Sequence, residues 1–248
     1  MILVIARKEL RSLFATPMGW LVLAVFQAIV GTYYSLSFNQ YFEIMHSAHW
    51  QVQRIGITQF MAEGVFGVAA VLMLFVVPLV SMKLISEERK NQTMALLMSA
   101  PLSMSELILG KLLGIVSYLS LLIVSMVVMI ALLLPWAEID LPYLITHAFG
   151  LWLLMVASSA LGLYVSCLTA NPILAAFCSL TALSFWLLLD KFFSDHSQAL
   201  FHDFSLMQHY RQFALGILNS YDVLFFVLFA LFFVLLAIRR LHADRLYG

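Results

Sequence analysis

The sequence predicts an all-α, polytopic membrane protein: six transmembrane helices, an amphipathic helix at the N-terminus and a short helix within the central polar loop. Three observations predict this. The 248 residues are 63% apolar and only 10% charged, whereas a soluble domain carries about a quarter charged residues, so most of the surface must find lipid as its solvent. Six apolar runs, 17–36, 64–82, 112–134, 148–168, 173–190 and 222–238, reach or approach the length that a bilayer core requires. Lysine and arginine, finally, alternate in density from one connection to the next.

That alternation fixes the sidedness. Arg7, Lys8 and Arg11 precede the first run, Lys83, Arg89, Lys90 and Lys111 lie between the second and third, and Arg239, Arg240 and Arg245 follow the last. These are ten of the thirteen basic residues, all on one side of a six-span arrangement; Arg54, Lys191 and Arg211 lie opposite. The positive-inside rule places both termini and the 83–111 loop in the cytoplasm. A net charge of zero argues against nucleic acid as a partner. Cys167 and Cys178 fall inside apolar runs and read as small buried hydrophobes.

Residues 2–14 carry Leu3, Ala6, Leu10, Leu13 and Phe14 on one helical face and Arg7, Lys8, Arg11 and Ser12 on the other. Such a segment lies in the headgroup layer, or else simply extends the first span with basic anchors. Its charges follow its first apolar residues, the reverse of a signal peptide, so it is expected to stay in the protein. Pro17 turns the chain into the first span, and Trp20 suits the interface. Residues 1–16 are therefore one unit and 17–248 a single membrane domain.

Pro78 permits a kink in the second span, whose helix is expected to run on through Ser86, Glu87, Glu88, Arg89 and Lys90. Asn91 or Thr93 then caps a short helix offering Met94, Leu97 and Met98 on one side, and Pro101 stops it. Ser103 and Glu106 have the spacing of a capping box opening the third span. Two readings of this tip stand side by side: an apolar knob for a protein partner, and a solubilising loop whose apolar residues touch its own bundle.

The fourth and fifth spans form a tight hairpin through Asn171 and Pro172. Ala157, Ser158, Ser159, Ala160 and Gly162 make a small-residue patch for close helix packing. The charged candidates at span ends are Glu63 and Asp190, and no chain of buried carboxylates or lysines marks an ion pathway. On the outer side, His46 and His49 have a helical metal-ligand spacing, and His196, His202 and His209 lie among aspartates. No recognised ligand framework supports them, and ordinary loop histidines are the favoured reading. Gly110-Lys111 is followed by leucine rather than Ser or Thr, and no GxxxxGK[ST] loop occurs, so ATP hydrolysis would need another subunit.

The pattern Glu87-Glu88-Arg89, Thr93, Leu96-Leu97, Ala100-Pro101-Leu102-Ser103 and Gly110-Lys111 resembles the signature of ABC type-2 transporter permeases. Lys8-Glu9-Leu10-Arg11-Ser12 with Thr16-Pro17 resembles the elbow helix of their gliding-motility-type branch, and Phe213, Gly216-Ile217 and Asp222 resemble its last segment. The resemblance implies a coupling helix docked in a groove of a cytoplasmic ATPase subunit. Glu87, Glu88, Arg89, Thr93, Met94, Leu97, Met98 and Pro101 would transmit its motion, the glutamates by pairing with basic residues of that groove and Leu97 by apolar docking. Arg7, Lys8 and Arg11 would be the elbow's basic face. It further implies a second permease copy or a related permease, ATP and Mg on the ATPase only, and an auxiliary membrane subunit with a periplasmic domain. The setting would be a bacterial cytoplasmic membrane and the direction export. The segment before the last span would dip in from outside as short helices bearing Phe204, Tyr210 and Phe213, with Gly216 as the turn and Asn219 or Ser220 as the next cap. Two other classes remain: a non-transporting membrane scaffold or force-transmitting subunit, and a metalloenzyme built on His46 and His49.

Overall fold

Helices in lipid approach one another most closely where their side chains are smallest, because burial against apolar solvent gives no drive of its own. The computed structural model describes residues 1–46, 56–94, 102–133, 140–192 and 205–247, and among these it holds helices and turns without any strand. The helices are α1 (Ile2–Ala15), α2 (Pro17–His46), α3 (Ile57–Ser81), α4 (Lys83–Lys90), α5 (Met104–Ala131), α6 (Leu141–Leu168), α7 (Pro172–Phe192), α8 (Leu206–Ala214) and α9 (Ser220–Tyr247). α6 is the hub, in contact with α3, α4, α5, α7, α8 and α9. It bears the small-residue patch, with Ala157, Ser158, Ser159, Ala160 and Gly162 all buried. At Gly162 an added Cβ would lie 2.2 Å from Ser81 Oγ on α3, so the two helices touch at a distance only glycine allows.

Five of the helices are long and apolar enough to cross a membrane: Pro17–Ile44, Ile57–Lys90, Met104–Ala131, Leu141–Leu168 and Ser220–Arg245. Their outward faces are apolar, as Val25 and Ile29 of α2, Val124 and Val128 of α5, and Leu228 and Leu235 of α9 show. That is the surface of a protein whose solvent is lipid. The expected fifth span, 173–190, coincides with α7, whose described stretch Pro172–Leu187 is apolar. The remaining helices overrun the expected spans because polar flanks continue the same hydrogen-bond ladder, and hydropathy sees only their apolar middles.

The local signals that end helices are mostly where the sequence places them. Ser103 and Glu106 form the reciprocal capping box, with Glu106 N–H donating to Ser103 Oγ and Ser103 N–H to Glu106 Oε2, each at 3.2 Å. Asn171 Oδ1 accepts from Ile173 N–H at 3.0 Å, and Asn219 Oδ1 from Tyr221 N–H at 3.3 Å. Gly216, at φ +76°, supplies the left-handed turn between α8 and α9. Two expectations are corrected. Asn91 ends α4 rather than opening a new helix, with its N–H on Glu87 O and Gln92 following at φ 57°. Cys167 is buried, but Cys178 is exposed on the outward side of α7, where an apolar solvent suits a thiol as well as a core does.

Candidate functional site

α3 ends at Ser81, less than one turn after the proline inside it. Pro78 has no N–H to give, and the chain passes through Met82 before α4 resumes the helix. The amides of Ile85 and Ser86, at the start of α4, are taken up by one hydroxyl. Ser166 Oγ of α6 accepts from both at 3.1 Å and donates to Met82 O at 3.1 Å. Ile85, Ser86 and Ser166 are wholly shielded from solvent, so water does not compete for these backbone groups. One serine thus fastens the break to the hub of the bundle.

The next turn of α4 is held by charge. Lys111, in the first third of α5 and 2% exposed, places Nζ 2.7 Å from Glu9 Oε1 of α1 and 2.7 Å from Glu88 Oε1 of α4. A buried ammonium is tolerated only with such partners. The neighbouring Arg89 pairs with Asp244 near the end of α9, and Asp244 also meets Arg240. α4 is consequently bonded to α5, α6 and α9 within one and a half turns, and α1 joins the set through Lys111.

α1 reaches Lys111 because α5 presents it two glycines. A Cβ at Gly110 would sit 2.7 Å from Ile5 Cβ, and one at Gly114 2.7 Å from Glu9 Cβ. This small-xxx-small spacing lets α1 lie directly on the α5 backbone. Thr16 is extended, α2 starts at Pro17, and the corner is tied by Trp20 Nε1 donating to Phe14 O at 2.9 Å and Tyr118 OH to Gly19 O at 2.6 Å. Arg7, Lys8 and Arg11 are exposed, as the amphipathic pattern requires. Of the expected apolar face, Ala6 is buried and Leu10, Leu13 and Phe14 pack against the core, while Leu3 is 79% exposed. Packing on the two glycines adds Ile5 and Glu9 to that face.

Of the other residues singled out in the loop, Glu87 and Thr93 are exposed and Met94 is buried; Thr93 Oγ1 donates to Glu88 O at 3.2 Å. Leu97, Met98 and Pro101 lie outside the described residues. Glu9 and Lys111 entered the sequence reading only as parts of the family resemblance and of the charge pattern, and Ser166 and Asp244 were not singled out. Lys111 carried the one signal that could have found them, a cation set between Gly110 and Leu112 in a helix that is apolar thereafter.

The opposite end of the bundle is joined differently. α8 is packed under α6, with Tyr210 and Phe213 buried. His147 Nε2 of α6 contacts Ala214 O at 2.6 Å, and Tyr143 OH donates to the same carbonyl at 2.8 Å and to Glu63 Oε1 at 3.3 Å. His209 Nδ1 lies 2.5 Å from Asp222 Oδ1, both buried, with the imidazole stacked on Phe225. Lys111 and Asp222 are therefore buried ionisable residues that the sequence reading had not expected, each answered by an immediate partner. Phe204, His49, His196 and His202 lie outside the described residues, as do the side chains of His46 and Asp190. Among the described residues, no group of three or more His, Cys, Asp or Glu is arranged to hold a metal.

An end-to-end helical bundle with a bonded polar hairpin at one end invites comparison with known membrane families. The model of the ABC-2 family transporter proteins matches residues 3–229. The chain belongs to that family. It is accordingly a multi-pass membrane protein and the permease component of an ABC transporter, a component that is not itself catalytic and implies a partner ATPase. A search of the curated proteins returned no match.

Proposed function

We propose that this chain is the membrane half of an ATP-driven exporter, and that α4 with the loop after it receives motion from a separate cytoplasmic ATPase. The observation that carries this reading is the bonding of α4 to three helices at once, by Ser166 to α6, by Lys111 to α5 and by Arg89 to α9, with Glu9 of α1 sharing the same Lys111. A segment so fastened transmits displacement to every part of the bundle that it touches. Glu87 and Thr93, which are exposed, would meet the ATPase together with Met94, Leu97, Met98 and Pro101. Glu88 and Arg89, whose side chains turn to Lys111 and Asp244, would pass the motion inward.

In the same reading both termini and the loop are cytoplasmic in a bacterial inner membrane. α7 completes a sixth span with its flanks, and α1 serves as an interfacial elbow with Arg7, Lys8 and Arg11 toward the headgroups. A second permease copy, or a related chain, completes the pathway, and ATP and Mg reside on the ATPase. The gliding-type likeness of the elbow residues favours an auxiliary membrane subunit with a periplasmic domain. A force-transmitting scaffold would use the same contacts without moving cargo. The test is purification of the tagged chain with its native partners, followed by ATPase measurement. Leu97→Glu is expected to abolish ATPase attachment while the chain still folds; full attachment and unchanged coupling in that variant would overturn the assignment.

A further inference from the structure

Two cavities meet in the corner between α1 and the α3–α4 break. The larger, about 270 Å³ and open on one side, is walled by Lys8, Glu9 and Ser12 of α1 and by Lys83, Glu87 and Asn91 across from them. The smaller, about 30 Å³, is walled by Val22, Leu79 and Tyr118 among others. The two share Leu13, Thr16, Val80 and Lys83, so an apolar slot lined by Val22 and Leu79 adjoins the polar chamber. The junction falls where the apolar stretch 64–82 gives way to the charged residues of α4, which is the level of lipid headgroups.

The charges in the larger chamber are balanced, and they are not equally available. Lys111 is taken by Glu9 and Glu88. Lys8, Lys83 and Glu87 line the same chamber and form no ion pair among the described residues. What they offer is two ammonium donors and one carboxylate acceptor around a space with an apolar floor. A phosphate accepts from two lysines in the way that basic pockets between membrane helices hold headgroups. A headgroup bearing only negative charge would leave Glu87 unanswered and repelled. A quaternary ammonium would give Glu87 charge but no N–H.

We infer that this corner binds one zwitterionic aminophospholipid, its phosphate between Lys8 and Lys83, its primary ammonium on Glu87, and the first methylenes of its chains in the slot beside Leu79. The lipid would act as a wedge between α1 and α4. The inference rests on the membrane placement that the family establishes; it takes the Glu87 carboxylate for the lipid, so while the lipid is bound the ATPase contact proposed above falls to Thr93 and the loop after it.

The experiment is native mass spectrometry of the full chain, purified in mild detergent, delipidated, and titrated with phosphatidylethanolamine, phosphatidylcholine or phosphatidylglycerol. The unmodified chain is expected to retain one ethanolamine lipid, bound about tenfold more tightly than the other two. The Lys8→Ala/Lys83→Ala variant should lose that affinity about tenfold for every phospholipid, and Glu87→Gln should lose only the preference for the primary amine. Far-UV circular dichroism of each variant separates this from misfolding. Equal retention by the lysine variant, or equal binding of all three lipids, would reduce the site to annular contact and overturn the inference. So would protection of the delipidated chain by inorganic phosphate alone. Absence of the lipid from the intact complex, with the ATPase protecting Lys8 and Lys83 from amine labelling, would assign the corner to the protein partner instead.

Discussion

Each end of this bundle holds a short amphipathic helix against α6 or its neighbours, and the two ends do so with different chemistry. Around α4 the fasteners are charges: Lys111 with Glu9 and Glu88, and Arg89 with Asp244. Around α8 shape takes a larger share: Phe213 presses on Gly150 at a distance where a Cβ would lie 2.3 Å from Phe213 Cβ, and Tyr143 closes over Gly216, 2.7 Å from where a Cβ would be, beside the one buried pair of His209 and Asp222. Charge pairs reach across a gap and re-form after sliding, whereas interlocked rings and glycines have one arrangement. The contrast is one of proportion, and it separates what charge removal and overpacking should do at the two ends.

The largest expected effect breaks the charge end. Lys111→Met leaves Glu9 and Glu88 facing one another without their cation, and loss of one partner from a buried set costs about 3–5 kcal/mol. Thermal unfolding in detergent should show the loss. Adding Glu9→Gln and Glu88→Gln should restore most of it, because the uncompensated charge is then gone. If the triple variant were no more stable than the single, Lys111 would be acting through packing alone.

The shape end should break more modestly but without rescue by charge. Gly150→Val drives a methyl into Phe213, which is wholly buried, and overpacking of this kind costs about 1–3 kcal/mol. Shrinking the neighbour, Phe213→Ala, should relieve the clash in part while opening a cavity of its own. Salt should leave this variant unchanged, since no ion pair is involved, and measurement of its unfolding at low and high ionic strength checks that.

Smaller again is Ser166→Ala. Two buried N–H groups, of Ile85 and Ser86, lose their acceptor, at about 1–3 kcal/mol in all. The more telling readout is hydrogen exchange, which should speed up at those two amides and leave α8 unaffected. Unchanged exchange there would mean that α4 holds its own ladder and that the hydroxyl is incidental.

How much of this was legible depends on sequence distance. The capping box of Ser103 and Glu106, the turn at Gly216 and the start at Pro172 are local, and each was written into a few consecutive residues. The small-residue patch of α6 was visible too, although not that Gly162 would meet Ser81. Glu9, Lys111, Ser166 and Asp244 were illegible as a set because their partners lie far along the chain; 102 positions separate Lys111 from Glu9, and 155 separate Asp244 from Arg89. Hydropathy counted Lys111 as one more basic residue of a loop. Only the crossing of α1 over Gly110 and Gly114 turns it inward, and that crossing is also why Leu3 faces out where the helical pattern would have buried it.

The pair least important for stability is the sharpest test of the comparison. Arg89 and Asp244 are each about a fifth exposed, and pairs that solvent reaches contribute about 0–1 kcal/mol. Arg89→Ala, Asp244→Ala and the double variant should therefore unfold at nearly the same temperature as the unmodified chain. Their coupling should appear instead when the ATPase is attached and turning over. If α9 moves with α4 through this pair, each single variant lowers substrate-linked ATPase activity, and the double lowers it no further, because the connection is already cut. Strict additivity of the two losses would show Arg89 and Asp244 acting on separate contacts, and would remove α9 from the set that α4 drives.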